Sequence, residues 1–168
     1  MSELSTPRDL LITELKDLYS AESQLIRALP KMAKAATTPK LQQAFTTHLE
    51  ETKVHAERLE AIMSELDESP RGKKCVAMEG LIEEGKETLE EEAEPGIMDL
   101  ALIGAAQKVE HYEIASYGTA RTLAELAGEN RIARILQKTL DEEGKTDKLL
   151  TSIAENVSVE ELATAGGK

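Results

Sequence analysis

Glu22, Glu51, His55, Glu110, Glu113, Glu143 and Asp147 stand where a packed helical protein would place leucine or alanine. In "LYSAESQL", Glu22 follows Leu18 by four residues and precedes Leu25 by three, inside an apolar stripe. "HLEETKVHAERL" sets Glu51 and His55 between Phe45 and Leu59. "AAQKVEHYEIASYGT" carries Glu110 and Glu113 between Ile103 and Ala120, and "TLDEEGKTDKLL" carries Glu143 and Asp147 between Leu136 and Leu150. Buried carboxylates are costly unless positive charge accompanies them. Several of them converging with an imidazole suit a pair of hard or borderline divalent ions. Oxygen-rich ligation favours iron or manganese over a thiolate-seeking metal.

Each of these residues also has an ordinary reading. A glutamate at a stripe edge is commonly solvated or paired with Lys or Arg, and a solitary interior histidine is commonly just hydrogen bonded. Arg58 and Arg121 are candidates to neutralise some of the acid as structural ion pairs. What favours a dinuclear site is the coincidence of depth across four helices. Glu22 lies about 14 residues before a turn near residue 37 and Glu51 about 12 after it; Glu113 and Glu143 are roughly equidistant from a turn near 128. At about 1.5 Å per residue, each pair meets at one level of an antiparallel hairpin.

The elements that bring them there are helices. Ala, Leu, Glu and Lys dominate the chain and β-branched runs are absent, so the class is all-α. Thr6–Pro7 reads as a cap and first helical residue, opening a helix over 7–36; Thr38–Pro39 repeats the signal and opens 39–67. A weaker amphipathic helix spans 75–93, followed by helices over 97–126, closed by Gly128, and 130–157. Two tight pairs joined by one long crossover give a ferritin-like antiparallel four-helix bundle whose crossover carries a short fifth helix, a single domain over 1–168.

Composition narrows the function. A net charge of −12, with "RGKK" at 71–74 as the only dense basic spot, argues against nucleic acid. The single Cys75 permits no intrachain disulfide, which suits a reducing cytosol, and rules out a four-cysteine rubredoxin-type centre within this chain. The start "MSELSTPRDLL" lacks the pattern of a secretory signal, and no apolar run reaches a membrane span, so a cytoplasmic protein without membrane contact is expected. No phosphate loop, Ser–His–Asp order or Cys–His pair supports hydrolytic or nucleotide chemistry.

"DLYSAESQL", "HLEET", "CVAMEGLIEE" and "AAQKVEHYEIASYGT" together resemble the YciF-type stress proteins, a ferritin-like family of bacteria, over about residues 7–157. The resemblance implies a four-helix bundle with a fifth helix, and dimers; the family's biochemical activity is poorly defined. The wider ferritin-like pattern is one Glu from each of two helices and Glu-x-x-His from the other two. Glu22 and Glu113 fit the single positions, Glu110 resembles the extra carboxylate of rubrerythrins, and Glu51 and Glu143 fit the remaining glutamates. The chain departs from the pattern three residues further on, at Val54 and Thr146, with His55 and Asp147 one step later. His48 is the alternative imidazole and Glu142 the alternative to Glu143.

The expectation is therefore a carboxylate site for two iron ions per chain, with manganese as the other candidate. It would act on peroxide or dioxygen, or handle Fe(II), in a homodimer. Tyr19 and Tyr117 fall within about a turn of the ligand level, as hydrogen-bond donors or as ordinary packing. The competing reading is a non-enzymatic, stress-induced helical dimer whose site is empty or structural.

Overall fold

The computed structural model describes residues 4–165, with side chains to Val157. Its helices are α1 (Pro7–Ala35), α2 (Pro39–Glu65), α3 (Val76–Glu90), α4 (Pro95–Leu126) and α5 (Asn130–Ala165). α5 thus continues past the expected end at 157, and Gly166–Lys168 lie outside the described residues. α3 is shorter at both ends than 75–93, because Cys75 serves as its N-cap, accepting from the Met78 amide, and the chain turns extended at Glu91.

The helix ends follow from local chemistry. Thr6 and Asp9 form a reciprocal capping box on α1, the Thr6 hydroxyl accepting from the Asp9 amide and Asp9 accepting from the Thr6 amide. Thr38 makes no side-chain cap on α2. Instead Asp99, fully buried on α4, accepts from the amides of Thr37 (2.7 Å) and Thr38 (3.0 Å), fixing the α1–α2 turn to the start of α4. At the other end Gly128, at φ +79°, closes α4 in a Schellman turn, with Gly128 N donating to Glu125 O and Glu129 N to Ala124 O. Asp67 plays the same part after α2 at φ 57°, a conformation that costs a residue with a Cβ more than glycine.

α1 packs on α2 and α4, and α5 packs on α4 and α2, which closes a ring of four helices. α3 lies outside that ring, against α1 and α4. The bundle interior is two apolar clusters. One, toward the α1–α2 turn, is built on Leu25, Leu29, Phe45, Ile103, Leu150 and Ile153. The other, toward the α4–α5 turn, is built on Leu11, Leu15, Leu18, Leu59, Ile62 and Leu136. Between them lies a polar layer. Among the described residues no helix is long and apolar enough to cross a membrane.

Candidate metal centre

The polar layer exists because each helix keeps a three-four seam and changes residue type at mid-length. On α2 the buried seam reads Leu41, Phe45, His48, Thr52, His55, Leu59, Ile62; on α5 it reads Ile132, Leu136, Thr139, Glu143, Thr146, Leu150, Ile153. α1 contributes Glu22, and α4 contributes Glu110 and Glu113. All of these polar residues are buried, Glu22, Glu113 and Glu143 completely.

Their donor atoms converge in two groups. One atom from each of His48, Glu110, Glu113 and Glu143 lies within 4.8 Å of the others, and the same holds for Glu22, His55 and Glu143. Glu143 belongs to both. His48 Nε2 stands 2.9 Å from Glu110 Oε1, and His55 Nδ1 stands 2.9 Å from Glu143 Oε1 and 3.5 Å from Glu22 Oε1. Despite these approaches the atoms lack the alignment of hydrogen bonds. Both oxygens of Glu113 and of Glu143, one oxygen each of Glu22 and Glu110, both nitrogens of His48 and Nδ1 of His55 have no hydrogen-bonding partner in the protein. Native interiors rarely leave so many buried polar atoms unpaired. Nitrogen and carboxylate lone pairs aimed at common points are what a divalent cation would satisfy, so the residues present fit such a group.

The supporting contacts are clear. Tyr117, buried beside His55, donates its hydroxyl to Glu22 Oε1 at 2.5 Å. The other nitrogen of His55, Nε2, lies 3.0 Å from Glu142 Oε2, and Arg58 holds the same carboxylate through both Nη1 (2.5 Å) and Nη2 (3.1 Å). This Arg–Glu–His chain orients the imidazole in the manner of outer-shell carboxylates at metal sites.

Electrostatics carry the same message. Burial, reinforced by neighbouring carboxylates, raises Glu110 and Glu113 well above the usual carboxylate range and raises Glu22 as well. Burial alone would depress both histidines, but Glu110 and Glu51 lift His48 well above its ordinary value, and Glu143 and Glu22 lift His55 to about 10. Glu143 moves down despite its burial, because the imidazoles and the carboxyls of Glu110 and Glu113 surround it. Without a cation the cluster retains protons, and a cation would displace them.

The structure therefore brings together Glu22, His55, Glu110, Glu113 and Glu143 from the expected set, and adds His48. The choice between His48 and His55 dissolves, since each serves a different group. Glu143 takes the inner position and Glu142 the outer one. Glu51 is at the edge, its side chain 40% exposed and its Oε2 3.7 Å from His48 Nδ1. Asp147 faces away, accepting from Gln107 (3.2 Å) and pairing with His111 (3.2 Å). Tyr19 donates to Glu60 and Arg121 to Gln137, both outside the layer. Thr52 is fully buried with its hydroxyl unpartnered, a position that sequence does not mark because threonine carries no metal signal.

A four-helix ring with a single crossover and a mid-bundle layer of glutamate and histidine defines a ferritin-like protein. Residues 6–163 match the family described as a domain of unknown function (DUF892). The chain is 52% identical over 154 residues to Protein YciF of Escherichia coli (strain K12), covering 91% of this chain and 93% of that one. The crystal structure of that protein, described as a stress protein, superposes with a TM-score of 0.89 over 92% of this chain and 98% of that one. YcfI of Rhodopseudomonas palustris, 44% identical, superposes at 0.85 over 89% and 95%. A Xanthomonas campestris protein at 22% identity shares the fold, with a TM-score of 0.74 over 96% and 99%. The chain belongs to the YciF-type family of ferritin-like proteins.

Proposed function

We propose that this protein binds two divalent metal ions, iron or manganese, in the mid-bundle layer. His48, Glu110, Glu113 and Glu143 hold one, Glu22, His55 and Glu143 the other. The observation that carries this is the set of buried carboxylate and imidazole atoms left without partners in two groups that share Glu143. A bound pair of such ions supplies redox chemistry toward peroxide or dioxygen, or oxidation of Fe(II), that side chains alone lack. The residues around it do the rest. Tyr117 fixes Glu22, Glu142 with Arg58 fixes His55, and the apolar clusters on either side exclude water along the bundle axis. The description of the Escherichia coli relative as a stress protein agrees with a role in handling peroxide or iron in a bacterial cytoplasm. A homodimer is part of this reading. α4 turns small residues outward at Ala101 and Gly104, and Val76, on α3, is 76% exposed.

Elemental analysis of the protein dialysed against Fe(II) or Mn(II) without oxygen tests the reading; about two equivalents per chain are expected, as for carboxylate-bridged bundles. One observation favours the alternative of a structural helical dimer. The 2.9 Å approaches of His48 to Glu110 and His55 to Glu143 already set imidazole against carboxylate. A protein that takes up neither metal while fully helical would establish that alternative.

A further inference from the structure

The polar layer is packed over along its axis and on one flank. Apolar clusters close it along the axis, and α3 covers the α1–α4 side. The α2–α5 side differs. There a surface groove is lined by Thr47, Glu50, Glu51, Val54, Arg58 and Glu142. Where the α2–α5 seam meets the layer, threonines, Thr52, Thr139 and Thr146, stand between the buried His48, His55 and Glu143, instead of the leucines found above and below. Thr52 Oγ1 has no partner.

Glu51 stands at the inner end of that groove. Its carboxylate is partly in solvent, yet Oε2 is 3.7 Å from Nδ1 of the buried His48, an atom with no hydrogen-bonding partner. The Thr146 hydroxyl reaches Glu51 only at 3.5 Å, at the limit of a hydrogen bond and too weak to pin it. Nearby cations are engaged elsewhere, Arg58 by Glu142 and Lys53 by Glu50. Glu51 lines both this groove and an adjoining hollow that presents Lys40 and Lys145, and with Glu50 and Glu142 already paired it is the carboxylate of the groove that has no Lys or Arg partner among the described residues.

We propose that the α2–α5 groove is the port through which divalent cations reach the buried cluster, and that Glu51 passes them from solvent to His48. This rests on the metal-binding reading above and deepens it. A hydrated cation moving inward must exchange water for protein oxygen in steps. Glu51 supplies a mobile carboxylate for the first exchange, and the threonine hydroxyls supply neutral oxygens beyond it. Glu51 is thus a positioning residue that sets the rate of loading and unloading, distinct from the residues that set final occupancy.

The test is stopped-flow absorbance of full-length protein mixed with Co(II) chloride, with final Co(II) content measured after gel filtration. Glu51→Gln and Val54→Lys are expected to slow uptake roughly tenfold or more, the scale of electrostatic focusing at a charged cleft. Final content and helicity should match wild type, and EDTA-driven release from Glu51→Gln should slow as well. Glu125→Gln, the same one-unit charge change on the exposed end of α4, should leave the rate unchanged. Equal uptake rates in all variants would overturn the port while leaving the metal site standing. A lower final content in Glu51→Gln at unchanged rate would make Glu51 a ligand and overturn its role as relay. Failure of wild type to take up Co(II) would refute the metal reading and the port with it.

Discussion

Replacing Glu113 with leucine should make the chelated protein more stable and the metal-exposed protein relatively less so. Glu113 is fully buried and neither carboxylate oxygen has a partner. Burial first, and then Glu143 and Glu22, raise its pKa well above the usual carboxylate range, so its charged form is disfavoured when no cation is present. An unsatisfied buried polar group costs about 1–3 kcal/mol, and exchanging buried ionisable groups for apolar ones of similar volume stabilises by up to about 4 kcal/mol. Leucine at 113 would also extend the apolar seam through Tyr117 and Ala120. A gain of about 2 kcal/mol corresponds to a rise of about 4–8 °C in thermal midpoint for a chain of this size. With Mn(II) at about a hundred times its Kd, wild type should gain about 2.7 kcal/mol per site, whereas Glu113→Leu, which keeps the Glu22–His55–Glu143 group, should lose the increment of the site that Glu113 lines. The order of the two melting curves should therefore approach or cross between EDTA and Mn(II), as measured by circular dichroism. A variant that melts below wild type in EDTA would mean Glu113 makes a structural contribution, and the argument from orphaned atoms would fail.

The chelated protein should also lose stability as pH rises. His48, His55, Glu110, Glu113 and Glu22 all hold protons to higher pH folded than unfolded, so their stabilisation is complete below the unfolded values and is lost through the folded ones. For His55 that window runs from 6.5 to about 10; the depressed Glu142 and Glu143 oppose it only near and below their unfolded value of 4.5. A thermal midpoint in EDTA that climbs steadily from pH 5 to 9 would contradict this. Asp67→Gly should stabilise by about 1 kcal/mol, because φ 57° strains any residue with a Cβ; a lower midpoint in denaturant would count against it. Asp99→Ala should destabilise by about 2–4 kcal/mol, since it strips a charged acceptor from two amides at a turn with no side-chain cap of its own. Urea melts showing no change would mean water replaces the carboxylate there.

The fold was legible because its signals are local. Thr–Pro starts, a glycine at 128 and a long connection between tight pairs each have a mechanism that a sequence displays. Asp67 was harder to read, since an aspartate in the left-handed region replaces the glycine that would mark the end of α2. Asp99 was illegible for another reason, as its partners lie about 60 residues away in the α1–α2 turn.

The site shows where pattern reading loses resolution. Treating Glu51 and His55 as one unit assumes that residues four apart share a face, which is true, but does not say which face points inward. The three-four seam decides it. Counting from Phe45 the inward positions are 48, 52, 55 and 59, so His48 and His55 face the layer while Glu51, a step of about 100° from Thr52, falls at its rim. The same count on α5 from Leu136 gives 139, 143, 146 and 150, which selects Glu143, sends Glu142 to the edge and turns Asp147 outward. The edge positions then acquire work of their own. Glu142 with Arg58 orients His55, and Glu51 opens onto the groove. Thr52 and Thr146 sit where the wider ferritin-like pattern, carried over onto this seam, would place a glutamate and a histidine. His48, one turn before Thr52, brings an imidazole back to Glu110 from α2 instead of α5. Relocating one ligand in this way leaves the α2–α5 wall lined by small hydroxyls, and that is the wall at which the layer meets solvent.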